Sequence, residues 1–197
     1  MGSFSKKTIF SAVVLLAIAG GIIYYSGKGL QNVPPSFMEA RKAAATVSQD
    51  IVTLTSKTNA TIQTINATEK TGSADRILGL IDEARATNAQ AYQKAFELSK
   101  DLQQMTEALS QVGPRESQRL AYEAIAIELS LTSEFITYTG ALGDFLSALA
   151  KTTTTGVYGN RQTIAQELAT VNAKAAIINN LNREFNEKMT AFDASLQ

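Results

Sequence analysis

The sequence predicts an all-α protein in which an N-terminal transmembrane helix precedes an up-down-up-down antiparallel four-helix bundle. Three observations lead to this prediction. One long uncharged apolar run lies near the start, four later segments repeat apolar residues at spacings of three and four, and breaker residues separate those segments. The chain has 197 residues, 45% apolar and 18% charged, which suits one folded domain beside an anchor.

The apolar run of residues 8–25 contains no charged side chain. As a helix it would be about 27 Å long, close to the hydrocarbon thickness of a bilayer. Lys6 and Lys7 precede the run, and Tyr24 and Tyr25 end it, as is typical of residues at the two membrane interfaces. Because basic residues favour the inner side, we expect residues 1–7 in the cytoplasm and the bulk of the chain outside the inner membrane, with lipid as the first partner.

A cleaved signal peptide is the alternative interpretation of this run. Ala17-Ile18-Ala19, followed by Gly20, has the small-x-small pattern that signal peptidase accepts, and cleavage near Ala19 would give a secreted helical protein. Cleavage there would, however, expose apolar residues that an intact span buries. Retention and cleavage both stay open, with retention favoured.

Residues 26–35 contain two glycines and two prolines and are predicted to be a linker, so the bundle is expected in residues 36–197. Ser36 and Glu39 form a capping-box pattern at the start of the first helix. This helix is predicted to end near Gly72, with Ser73 as the N-cap of the next. Its apolar seam is Phe37, Ala40, Ala44, Val47, Ile51, Leu54, Thr58, Thr61 and Ile65.

The second helix repeats the same spacing without interruption as far as Val112, which is typical of bundle packing. Its seam is Ile77, Ile81, Ala84, Asn88, Ala91, Ala95, Leu98, Leu102, Met105, Leu109 and Val112. Gly113 ends it, and Pro114 is expected to begin the third helix, residues 114–151. The seam of that helix is Leu120, Ala124, Ile127, Leu131, Phe135, Tyr138, Leu142, Phe145 and Leu149.

Residues 152–160, with the sequence TTTTGVYGN, are predicted to form a loop in which Asn160 caps the fourth helix. The seam of this last helix is Ile164, Leu168, Val171, Ala175, Ile178, Leu181, Phe185, Met189, Phe192 and Leu196. Because all three connections are short, neighbouring helices should run antiparallel.

The third helix carries a second apolar face, formed by Tyr122, Ile125, Leu129, Ile136 and Leu146. Two interpretations explain a stripe wider than a bundle helix needs. Either the face contacts a partner chain or a second copy through helix 114–151, or the helix is deeply buried within the monomer. Acidic residues interrupt the face, so a second membrane span is not predicted.

Polar residues are expected to meet at the middle of the bundle, where Thr58, Asn88 and Tyr138 fall at one level. Gly140 and Gly143 lie in the same layer and could leave space for a ligand pocket. The alternative is that buried polar residues fix the register of the helices. Asn59 and Asn66 each begin a glycosylation sequon and are expected to face solvent, and whether either is modified stays open.

The composition excludes most catalytic chemistry, because the chain has no His and no Cys. Ser-His and Cys-His nucleophiles, zinc sites and the histidine-containing di-iron motif all need one of them. The slight acidic excess after Lys28 also argues against a nucleic-acid partner. The sequence therefore predicts no enzyme, cofactor or metal, and favours a structural or protein-interaction module. A ligand-binding sensor subunit with a mid-bundle pocket is the alternative function.

Overall fold

Four long α-helices make up the fold in our computed structural model, which describes residues 33–68, 73–155 and 161–196. Within these ranges there is no β-strand, so the predicted all-helical architecture with four helices is confirmed. The helices are α1 (Pro35–Thr68), α2 (Ala74–Ala108), α3 (Arg115–Thr155) and α4 (Arg161–Ser195), and a 3-10 turn, Leu109–Gln111, follows α2.

The predicted transmembrane anchor, with Lys6, Lys7, Tyr24 and Tyr25 at its ends, lies outside the described residues. The helices that are described include none with an apolar stretch of the length needed to cross a bilayer. The anchor therefore stays a prediction.

Helices that are neighbours in the chain run antiparallel. In the polar contacts between them, residue numbers rise along one helix as they fall along the other. The contacts are Lys94–Asp50 (3.2 Å) and Lys57–Glu83 (3.4 Å) between α1 and α2, Asn88–Thr139 (2.8 Å) and Arg85–Ser147 (3.1 Å) between α2 and α3, and Lys188–Glu123 (2.6 Å) and Lys174–Glu134 (3.9 Å) between α3 and α4.

The core follows the predicted seams. Every predicted seam residue is buried or half-buried in the bundle, and none is exposed. Phe37, Phe135, Phe145 and Phe192 are among the largest fully buried side chains. The alternating spacing of three and four therefore identified the faces that pack against each other.

The start of α1 lies two residues before the start that a cap at Ser36 predicts. The helix begins at Pro35, and the carbonyl of Pro34 accepts hydrogen bonds from the backbone N–H groups of Phe37 and Met38. Ser36 therefore lies inside the first turn and is not the N-cap. Proline suits the first helical position because its missing N–H would have no partner there. Ser73 does cap α2, where its hydroxyl accepts from the N–H of Arg76 at 3.4 Å.

Both ends of α3 also differ from the prediction. The helix begins at Arg115, and Pro114 precedes it and accepts a hydrogen bond from the N–H of Gln118. Residues 152–155, predicted to lie in a loop, continue the helix. The hydroxyl of each of these four threonines donates to the carbonyl four residues earlier, at 2.8–3.0 Å, so the polar side chains are satisfied inside the helix. The predicted cap, Asn160, lies outside the described residues.

Candidate functional site

Helices α1 and α4 are joined at the end of the bundle where α1 begins. The Arg41 guanidinium donates two parallel hydrogen bonds to the Asp193 carboxylate, at 2.7 and 2.8 Å, and both side chains are largely buried. Arg41 also lies over the ring of Phe192, which packs 5.7 Å from the ring of Phe37. This contact closes the bundle between its first and last described helices.

Away from that end, the side of α1 that faces α4 is lined by polar residues. Asn59 follows Arg41 by 18 residues, which is five helical turns, so the two side chains leave the helix in the same direction. Ser48 and Thr55 lie within about 40° of that direction. All three are buried, and Asn59 is only 5% exposed.

Asparagines of α4 lie opposite this polar line. With Arg41 level with Asp193 in an antiparallel pair, Ser48 falls level with Asn186 and Thr55 with Asn179. We call the five residues Ser48, Thr55, Asn59, Asn179 and Asn186 the α1–α4 seam. The backbones of helices adjacent in the chain approach each other closely along their length, whereas those of α1 and α4 do not.

Several buried atoms on the α1 side have no hydrogen-bond partner within the described protein. They are the hydroxyl oxygens of Ser48 and Thr55, both amide atoms of Asn59, and the Nε of Arg41. Thr58, on the same helix and equally buried, donates its hydroxyl proton to the carbonyl of Leu54 at 3.0 Å. A buried polar group without a partner costs about 1–3 kcal/mol, so a cluster of them needs a physical explanation.

The seam corrects the prediction that the two sequons face solvent. Asn59 is buried against the α4 side of the bundle, and Asn66 is half-buried. The prediction was wrong for Asn59 because it considered only the apolar seam of α1, and the flank next to that seam is covered by α4.

The predicted mid-bundle layer is partly assembled. The Asn88 amide donates to the carbonyl of Thr139 at 2.8 Å in a buried hydrogen bond between α2 and α3. Tyr138 stacks on Phe135, with ring centroids 5.8 Å apart, and burial raises the pKa of its hydroxyl to about 12. Thr58 bonds within its own helix.

The two glycines of that layer are placed differently from Asn88 and Tyr138. Gly140 is exposed and Gly143 is half-buried. A Cβ built on either would meet no atom within 4 Å. Gly140 therefore lies on the outer surface of α3, and a ligand pocket in this layer stays a prediction.

The second apolar face of α3 divides between the core and the surface. Ile125 and Leu146 are buried in the core, and Ile136 is half-buried against it. Tyr122 and Leu129 remain 61% and 42% exposed. Burial within the monomer therefore accounts for part of the face, and these two side chains lie on the surface of the bundle.

A third exposed apolar side chain, Phe96 of α2, lies on the same side of the bundle. Ser147 follows Leu129 by 18 residues and accepts a hydrogen bond from Arg85, so Leu129 points towards the outer flank of α2. Phe96 follows Arg85 by eleven residues, about three turns, and points towards the outer flank of α3. Phe96 is 45% exposed. We call Phe96, Tyr122 and Leu129 the α2–α3 strip.

One further residue, Glu128, was not predicted as a site. Its side chain is 1% exposed, and desolvation by burial raises the pKa of its carboxyl to about 7. The sequence does contain a signal, because Glu128 lies between the two apolar faces of α3. The α3–α4 register places it level with Asn182, which is also buried.

The described residues offer no group of three or more acidic side chains arranged to hold a metal ion. Comparison with protein-family models, with curated proteins and with solved structures found no match for the chain.

Proposed function

We propose that the protein is a non-enzymatic helical bundle, tethered to the inner membrane by residues 8–25, that associates with a second copy of itself through the α2–α3 strip. The bundle lies outside the cytoplasm. A tether confines copies to one plane, which raises their effective concentration at the membrane.

Exposure of the α2–α3 strip is the observation that supports this proposal. Tyr122 and Leu129 are one heptad apart on α3, and Phe96 lies across the same outer groove on α2. Aromatic side chains are enriched at protein interfaces, where they bury a large area for few rotatable bonds. The apolar residues of the four predicted seams, by comparison, are buried or half-buried.

The self-association is tested with the exposed Leu129, because a charge at the buried Ile125 would disrupt the core. We expect the full chain in mild detergent to have a mass above that of a monomer by light scattering. Leu129→Glu should reduce the mass to that of a monomer and leave the helical circular dichroism unchanged. Ser130→Glu, at the next exposed position, is the matched control and should keep the wild-type mass.

Equal masses for all three proteins would contradict the proposed interface. The tether is checked separately, by membrane fractionation of cell lysates to which no detergent has been added. The wild type should sediment with membranes, and Leu16→Arg, which places a charge in the centre of the apolar run, should shift the protein towards the soluble fraction. An intact wild-type chain in the soluble fraction would contradict the tether.

A further inference from the structure

Among the described residues, the large apolar side chains that remain exposed all lie on the side of the bundle that α3 forms. Besides the α2–α3 strip they include Ile177 of α4, which is 45% exposed. Ile177 lies one turn after Lys174, whose ammonium donates to the Thr137 hydroxyl of α3 at 3.0 Å. The contacts between helices place both Ile177 and Phe96 about level with Ser133. Apolar side chains of three helices therefore surround the outer surface of α3.

This outer surface carries no charge over most of its length. Every exposed residue of α3 between Arg119 and Asp144 is uncharged, over a stretch of about 27 Å. The outer face of a helix in a soluble bundle normally carries charged residues. An uncharged surface favours a second copy as its partner, because the same surface on another chain brings no like charges into contact.

Six outer positions of α3 follow the spacing of a coiled coil. They alternate at intervals of four and three residues, and we call them the outer heptad: Tyr122, Ala126, Leu129, Ser133, Ile136 and Gly140. Five of them are exposed, and Ile136 is half-buried. Leu129 precedes the buried Leu131 by two residues, about 200° around the helix, so the outer heptad faces away from the core. This alternation is the pattern with which two helices pack along a shared seam.

We propose that the outer heptad pairs with the outer heptad of a second copy, with the two α3 helices parallel and in register. The pairing rests on the proposed self-association and specifies the helix that carries it and the direction of the partner. In such a pair each residue of the outer heptad meets its own counterpart. Leu129 then packs against Leu129 of the other copy, with Phe96 and Ile177 at the margins of the contact.

Charged residues of both signs lie at each end of the uncharged stretch. Glu116 and Arg119 are at its start. At its end Asp144 is exposed, and Arg85 of α2 reaches the same level, where it donates to Ser147 at 3.1 Å. Two copies in register bring both signs together at each end, so opposite charges can pair across the contact.

The proposed tether determines the direction of the pairing. Nine residues, 26–34, connect the apolar run to Pro35 and can span at most about 32 Å. In an antiparallel pair of upright bundles centred on the outer heptad, the two starts of α3 would lie about 48 Å apart along the axis. The same separation applies to the starts of α1, because α1 and α3 begin at the same end of the bundle. Both copies leave one face of the membrane, so the linker allows the parallel pair.

The chain has no cysteine, so single cysteines report which residues meet. Ala126→Cys and Gly140→Cys are each introduced into the full chain, and membranes isolated without detergent are oxidised. A parallel pair in register should give disulfide-linked dimers with both variants. An antiparallel pair joins a residue to itself only at its centre, so at most one of the two positions would cross-link. Ala60→Cys, at an exposed position of α1, is the matched control and should stay largely monomeric.

Both outer positions are exposed, and a Cβ at Gly140 meets no atom within 4 Å, so both variants should fold. Cross-linking at only one of them, at neither, or equally at Ala60→Cys would overturn the parallel pairing. If the mass in detergent still depended on Leu129, the self-association would stand and only this arrangement would fail. A monomeric mass for the wild type, or its absence from membranes, would instead contradict the proposed function on which the pairing depends.

Discussion

Burial of the Glu128 carboxyl makes the stability of the bundle depend on pH. The pKa of the Glu128 carboxyl is about 7 in the folded protein and 4.5 in an unfolded chain. Between these values the folded state binds more protons, so the free energy of unfolding falls as the pH rises. Well above pH 7 the group is ionised in both states and the loss is complete, at about 3 kcal/mol.

Glu128→Gln should therefore remove most of this pH dependence. The variant keeps the shape of the side chain and cannot ionise, so we expect it to be more stable than the wild type at pH 8 and similar at pH 4.5. Urea unfolding of both proteins at several pH values measures the difference. If the free energies of unfolding of the two proteins changed with pH in parallel, Glu128 would not be the source of the pH dependence. Asp101→Asn, at a half-buried carboxyl whose pKa burial also raises, should remove a smaller share of the pH dependence than Glu128→Gln.

The exposed ion pairs have a smaller effect on the stability of the bundle than the buried carboxyl of Glu128. Arg119 pairs with Glu116 and Glu123 on its own helix, and Glu123 also accepts from Lys188 of α4. The hydrogen bond from Lys188 and the charge of Arg119 lower the pKa of Glu123. Pairs exposed to this degree contribute little to stability because water and salt screen them.

At the scale of the helix, the two glycines of α3 weaken it without an evident packing reason. A Cβ at Gly140 would meet no atom within 4 Å, and the helix continues through this position. We expect Gly140→Ala to stabilise the bundle by about 0.5–1 kcal/mol, because alanine has less backbone freedom to lose on folding. Thermal unfolding checks this, and the reverse change Ala126→Gly should destabilise by a similar amount. A destabilised Gly140→Ala would indicate a role for the open space there.

Helix positions and packing faces could be predicted from the sequence because both follow from a local period. The predictions were wrong where a short stretch of sequence is compatible with two local structures. A run of four threonines is typical of a loop, yet each hydroxyl of residues 152–155 can also bond the preceding turn of a helix. Ser36 resembles a cap, but the helix begins one residue earlier at Pro35.

A largely buried ion pair, Arg41–Asp193, joins α1 to α4 at one end of the bundle. Asp193→Asn would leave the Arg41 guanidinium buried beside a neutral amide, and we expect a loss of about 3–5 kcal/mol in the free energy of unfolding. Glu83→Gln breaks the exposed pair with Lys57 and should cost at most about 1 kcal/mol. Denaturant unfolding of both variants measures the contrast. Equal losses would mean that Arg41–Asp193 does not hold the helices together.

The α1–α4 seam could not be predicted from the sequence, because apolar periodicity identifies only the sides of a helix that pack through apolar residues. Ser48, Thr55 and Asn59 have the composition of a solvated flank, and their burial depends on how closely α4 lies to α1. That distance is a property of the whole assembly. The α2–α3 strip was predicted in part, since Tyr122 and Leu129 were identified and Phe96 was not.

The pairing of Arg41 with Asp193 also brings the start of α1 and the end of α4 side by side, with the rings of Phe37 and Phe192 in contact. A short peptide could therefore connect the end of α4 to the start of α1. A circularly permuted chain that begins with α3 and finishes with α2 would keep all the pairings between helices. We therefore expect the pairings between helices, more than the order of the helices along the chain, to specify the architecture.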